Sequence, residues 1–221
     1  MAVKLLLRFS KKGALKYTGH LDLLRAFQRS IRRAGLIAAY SQGFNPHMLL
    51  SFALPLPLGM ESENDYAALA LEARLPEDEI ISRFNDSAPE GLLLTGVKPV
   101  AEGSPGIAAV TAAADYAVFM PRLSEFNPES LLSRPSIILP KKTKSGVKDT
   151  DIRPDIFGLR VISEQGRGFL FMRLSAGSER FLNPKLVIGL ITENAEHVPV
   201  ARLELYDKNF TPLFETRRGA L

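Results

Sequence analysis

The most constraining feature of the chain is how its apolar residues change period along the first hundred positions. AVKLLLRF alternates, with Val3, Leu5, Leu7 and Phe9 on one side and Lys4, Leu6 and Arg8 on the other. That two-residue repeat is a strand with one core face. After the loop SKKGALKY the repeat becomes helical, from about Gly19 to Ala34. Leu21, Leu24, Phe27 and Ile31 share one face of this helix, and Arg25, Arg29 and Arg32 lie roughly opposite. Thr18 is placed to cap the helix and Gly35 to end it. LLSFALPL and NDYAALALEA read as strands, with Leu69 and Leu71 inward. Pro76 with Glu77, Asp78 and Glu79 opens a second helix, and GLLLTGVKPV is a fourth strand. The order β-α-β-β-α-β is the ferredoxin-like pattern.

AEGSPGIAAVTAAA (101–114) is rich in small residues and predicts a linker or surface crossover. A second series follows. ADYAVFMP is a strand, NPESLLSR a short helix capped by Asn127, PSIILP a strand and KKTKSGVKDT a basic loop. FGLRVISEQGRGFLFMRLS is a hairpin around Gln165–Gly168, NPKLVIGLIT a helix and VPVARLELY a last strand. The expected fold is therefore α+β: two tandem ferredoxin-like (βαββαβ) units with antiparallel sheets, at 1–100 and 115–221. A length of 221 residues suits two small units. The outward face of the first sheet would carry Lys4, Leu6, Arg8, Ser51, Ala53, Tyr66, Ala68 and Ala70. With one aromatic, it lacks the stacking platform of RNA-recognition motifs and suits packing against the second unit.

Charge is segregated. Residues 1–50 hold nine Lys/Arg and one acid, Asp22, for a net +8, while the whole chain is +4. Such a basic segment points to an anionic partner, RNA being the commonest class, or to a solvated basic surface. There is no cysteine, which removes disulfides, thiol nucleophiles, zinc-thiolate sites and cysteine-bound iron–sulfur clusters. The three histidines, His20, His47 and His197, have no metal-ligand spacing. No nucleotide-binding glycine motif is present, so neither a metal nor a cofactor is expected. No apolar run has the length of a membrane span, and the N-terminal residues lack the features of a secretory signal, so a cytoplasmic location is expected.

The stretch YSQGFNPH, Tyr40–His47, follows the basic helix. Gly43 can take positive φ and Asn45-Pro46 favours a turn. Ser41, Gln42, Asn45 and His47 carry polar groups, and Tyr40 and Phe44 offer rings on which a base could stack. The alternative is a connector in which Phe44 plugs the core and the polar groups cap their own backbone. In a βαβ unit the loops before and after a helix lie at opposite ends, so His20 and His47 should not meet. Only if the loop climbed the helix would it join Arg25, Arg29 and Arg32 in one surface. The candidate nucleic-acid residues are Lys12, His20, Arg25, Arg29, Arg32, Arg33, Ser41, Gln42, Gly43, Phe44, Asn45 and His47.

The blocks G-H-L-D (19–22), S-Q-G-F-N-P (41–46) and L-P-L-G-M-E-S (56–62), with DYAALAL between 65 and 71, occur in order. Through them the chain resembles a bacterial family of unknown function linked to radical-SAM proteins. In that family the domain is often fused behind a B12-binding radical-SAM enzyme, or is a separate chain. The likeness is dense over 8–71 and recognisable at DIRPDIFGL and RFLNPKLVIGLI. It implies signature positions at Gly19, His20, Asp22, Arg29, Arg33, Ser41, Gly43, Phe44, Asn45 and Pro46. Met48, Leu49, Asp65 and Ala68 depart from the pattern. Without cysteines this chain cannot itself hold a radical-SAM cluster, so the resemblance implies a partner enzyme in trans. The leading expectation is a non-catalytic RNA-binding or substrate-presenting module. One rival is a metal-independent endoribonuclease, similar to the repeat-processing enzymes of CRISPR systems, with His20, Tyr17 and Lys16 as its catalytic set. The other is a protein-interaction module without nucleic acid.

Overall fold

Strand β1 (Val3–Lys11) buries Leu5, Leu7 and Phe9 on one face and turns Leu6 to the other, as its alternation requires. The computed structural model describes residues 2–120, 123, 126–143, 146–164 and 167–216. After β1 come α1 (His20–Arg33), β2 (Leu50–Phe52), β3 (Glu61–Leu71), α2 (Glu77–Ser87) and β4 (Leu92–Pro99). Their strands pair antiparallel in the order β4-β1-β3-β2. Both helices cover one face, where Phe27, Ile31, Ile80 and Phe84 pack on Leu5, Leu7, Phe9, Leu69 and Leu71.

The buried stripe of α1 differs from the expected one. It is Leu23, Ala26, Phe27, Ser30 and Ile31, while Leu21 is 62% exposed. Steps of three residues drift by about 60° each around a helix, so a line through 21, 24 and 27 leaves the core side at its start. Ser30 is tolerated because its hydroxyl donates to the Ala26 carbonyl at 2.9 Å. The N-cap is Gly19, with no side-chain cap, rather than Thr18, whose hydroxyl donates to the Leu15 carbonyl at 2.7 Å.

The second half contains α3 (Ile107–Val110), β5 (Ala113–Phe119), α4 (Glu129–Leu132), β6 (Ile138–Thr143) and β7 (Gly146–Asp151). It continues with β8 (Ile156–Glu164), β9 (Arg167–Ser175), α5 (Pro184–Ile188) and β10 (Val200–Tyr206). The expected linker thus contains a helical turn and the start of β5. KKTKSGVKDT, expected to be a loop, is mostly a hairpin: β6 and β7 pair only with each other, in a two-stranded sheet of their own. The expected turn at Gln165–Gly168 begins outside the described residues. The remaining strands run β10-β5-β9-β8, all antiparallel.

The two sets are one sheet. β10 lies beside β3 in parallel, with Ala201 opposite Glu61 and Arg202 opposite Ser62, past the point where β2 leaves the same edge. The result is a mostly antiparallel eight-stranded sheet with few helices, an α+β fold. Part of the face expected to pack inward does so, while Ser51 on the same face stays exposed. Leu6, Ala53, Tyr66 and Ala68 join Ile107, Leu205 and Leu213 in a second core. Lys98 holds the returning C-terminal segment there through the Phe214 and Thr216 carbonyls.

Candidate functional site

The Tyr40–His47 loop closes on itself. Tyr40 and Met48 form a bridge, the Ser41 amide donates to the His47 carbonyl at 2.9 Å, and the His47 amide donates to Ser41 Oγ at 3.1 Å. Ser41 Oγ also lies 2.8 Å from His47 Nδ1. Gly43 has φ +125°, in the region that favours glycine. The self-capping alternative is thus correct for Ser41 and His47. It is wrong for Phe44, whose ring is fully exposed at the tip. Gln42 and Asn45 are exposed and have no hydrogen-bond partner among the described residues.

The loop does not climb α1. It stands at the C-terminal end of the helix, where Arg32 donates to the Tyr40 hydroxyl at 3.4 Å. Arg29 lies one turn back, exposed and without an ion-pair partner among the described residues. Arg25 is paired with Asp22 at 3.0 Å, both well exposed. Arg33 donates to the Ser87 carbonyl, bracing α1 on the end of α2. His20 is at the other end of the helix, its ring 5.5 Å from that of Phe52, so the two histidines are apart as expected.

That N-terminal end gathers the other signature blocks. The Lys16 carbonyl accepts from the Gly59 amide at 2.8 Å. Lys16 Nζ is 3.3 Å from Glu61 and 5.5 Å from the Tyr17 ring centroid. Lys12 pairs with Glu63 at 2.7 Å. The proposed catalytic lysine therefore already has a carboxylate partner, and the +8 of the first fifty residues is partly neutralised by β3. Such exposed pairs contribute only about 0–1 kcal/mol each, so phosphates could displace them.

Sequence reasoning missed the charged cluster where β3 meets β10. Arg202, fully buried, donates to both oxygens of Asp65 at 2.7 Å and to the Leu54 carbonyl at 3.0 Å. Lys11 is also buried and donates to the Thr18 carbonyl at 3.0 Å. Burial holds its ammonium below the ordinary lysine range, against the pull of Asp65. One signal was available: Lys11 continues the parity of Leu5, Leu7 and Phe9. Arg202 carried none, since 137 residues separate it from Asp65.

No curated protein matches the chain. A solved structure of an unknown protein from Galdieria sulphuraria is 12% identical, over 91% of this chain and 98% of that one, with a TM-score of 0.27. A family profile described as an uncharacterized protein conserved in bacteria, DUF2344, matches residues 4–184, from β1 to the start of α5, and the chain belongs to that family.

Proposed function

We propose that the surface made by α1 and the Tyr40–His47 loop binds single-stranded RNA. In this reading the chain is a non-catalytic module that binds or presents RNA beside a B12-binding radical-SAM enzyme in the cytoplasm. One observation carries the RNA reading. Phe44 is fully exposed on a loop whose base is closed by hydrogen bonds between Ser41 and His47. An apolar ring held in water by an ordered loop is a stacking platform in waiting. Arg32 at the loop's end of α1, with Arg29 one turn and Arg25 two turns back along the helix, would supply phosphate contacts. The partner enzyme is supported by the resemblance of the G-H-L-D, S-Q-G-F-N-P and L-P-L-G-M-E-S blocks. Two tandem ferredoxin-like units belong to the same proposal. Each half orders its strands fourth, first, third, second, once β6 and β7 are set aside as an insertion.

The test is titration of labelled single-stranded RNA at several salt concentrations, in EDTA. Phe44→Ala should lose about 1–3 kcal/mol of binding for each base it stacks, with an unchanged melting temperature. Arg25→Ala with Arg29→Ala should weaken all sequences and flatten the salt slope by roughly 0.7 per lost phosphate contact. Binding equal to wild type in both variants at every salt concentration would sink the RNA surface. Cleavage of the RNA that disappears in His20→Ala would replace this reading with the endoribonuclease.

A further inference from the structure

The two C-terminal stretches that the RNA surface leaves unused, DIRPDIFGL and RFLNPKLVIGLI, meet at a cavity. It has a volume of about 640 Å³ and lies beyond the ends of four strands, where β8 begins beside the end of β9 and β5 begins beside the end of β10. That is within the range of small-molecule sites, about 300–1,000 Å³. One wall is apolar, with Val110, Ala109 and the Phe157 ring. The lining also holds Asp155, Ser175 and Arg180.

The polar side is unevenly buried. The Asp155 side chain is 7% exposed, and its Oδ1 is 2.8 Å from Nε of Arg180, whose side chain is 59% exposed. The contact is an ion pair without hydrogen-bond geometry, for Asp155 Oδ1 makes no hydrogen bond among the described residues. Ser175, 3% exposed, also lines the cavity, and its hydroxyl has no hydrogen-bond partner among the described residues. The fixed charge of the cavity is thus an acid, and its counter-ion is a side chain that reaches in from solvent. Lys208, the other basic residue at the cavity, is exposed, whereas Asp207 is buried.

We propose that this cavity binds a small organic cation, an amine or guanidinium on an apolar body, which displaces Arg180 from Asp155. The cationic head would pair with the buried carboxylate and reach the unpartnered Ser175 hydroxyl, and the body would lie along Val110 and Phe157. An anion is disfavoured by the same geometry. By drawing Arg180 to itself it would leave Asp155 buried without a counter-ion, the costly half of a broken buried pair. The proposal is independent of the RNA surface, which lies on α1.

Benzylguanidine, benzyl alcohol and benzoate serve as cationic, neutral and anionic probes on one apolar body, titrated against the full chain by NMR. Benzylguanidine should bind with the largest shifts at the cavity, and Asp155→Asn should weaken it on the order of tenfold or more. Arg180→Ala removes the internal competitor and should tighten benzylguanidine severalfold. That exposed substitution keeps the test decisive even if Asp155→Asn unfolds. Equal affinity for benzyl alcohol, preference for benzoate, or weaker benzylguanidine binding in Arg180→Ala would each overturn the proposal.

Discussion

Single residues in this protein are set by neighbours that lie far off in sequence. Glu204 accepts a hydrogen bond from the Tyr66 hydroxyl at 2.6 Å across the β3–β10 seam. Burial raises its carboxyl above the ordinary range, outweighing the opposing pull of the Tyr66 hydrogen bond. A carboxyl raised in the folded state binds its proton there first. Its contribution to stability therefore grows as pH falls through the folded value towards the ordinary 4.5 of the unfolded chain. Relative to Glu204→Gln, which cannot titrate, wild type should gain stability over that window. Urea melts of both proteins at a series of pH values measure this. Parallel curves would mean that Glu204 titrates normally. Phe44 and Gly43 were legible as a ring and a flexible hinge. Whether the ring faced core or water was not, because that depends on what stands beside the loop.

At the scale of elements, periodicity located the four strands and the two α-helices of the first half, while the short 3-10 helix Gly13–Tyr17 falls in a stretch read as a loop. Periodicity failed in detail on α1, where burial tells Leu23 from Leu21. Leu23→Ala should cost about 2–5 kcal/mol, the range for truncating a buried leucine. Leu21→Ala should stay within about 0.5 kcal/mol. Equal losses in thermal melts would show that the helix sits on the sheet in another rotation. β6 and β7 mark the other failure. PSIILP has strand composition, but composition does not say which strand it will pair with, and the basic run after it becomes its partner.

The whole molecule is held as one sheet by a short seam. Only two residue pairs of β10 and β3 are in register, and Arg202 reinforces them from 0% exposure through Asp65, itself 3% exposed. Removing one partner of a buried ion pair leaves an uncompensated charge, at a cost of about 3–5 kcal/mol. Asp65→Asn leaves Arg202 and Lys11 as two buried cations, so its loss should fall in that range. Lys12→Ala, which breaks an exposed pair with Glu63, should cost under about 1 kcal/mol. Chemical denaturation compares them directly, and similar losses would show that the seam does not depend on its charge pair.

Local patterns carried by the sequence alone were the strand and helix alternation of residues 1–100, the basic N-terminal segment and the Gly-Asn-Pro loop. Each depends on neighbours within a few positions, where side-chain direction follows backbone period. The tertiary structure decided the rest. It placed β10 beside β3, paired Arg202 with Asp65, took up Lys12 and Lys16 on the acids of β3, and brought Asp155 to Arg180. These contacts join residues that no local period relates. Their free energy appears only when the chain has closed and water has been removed from the groups involved.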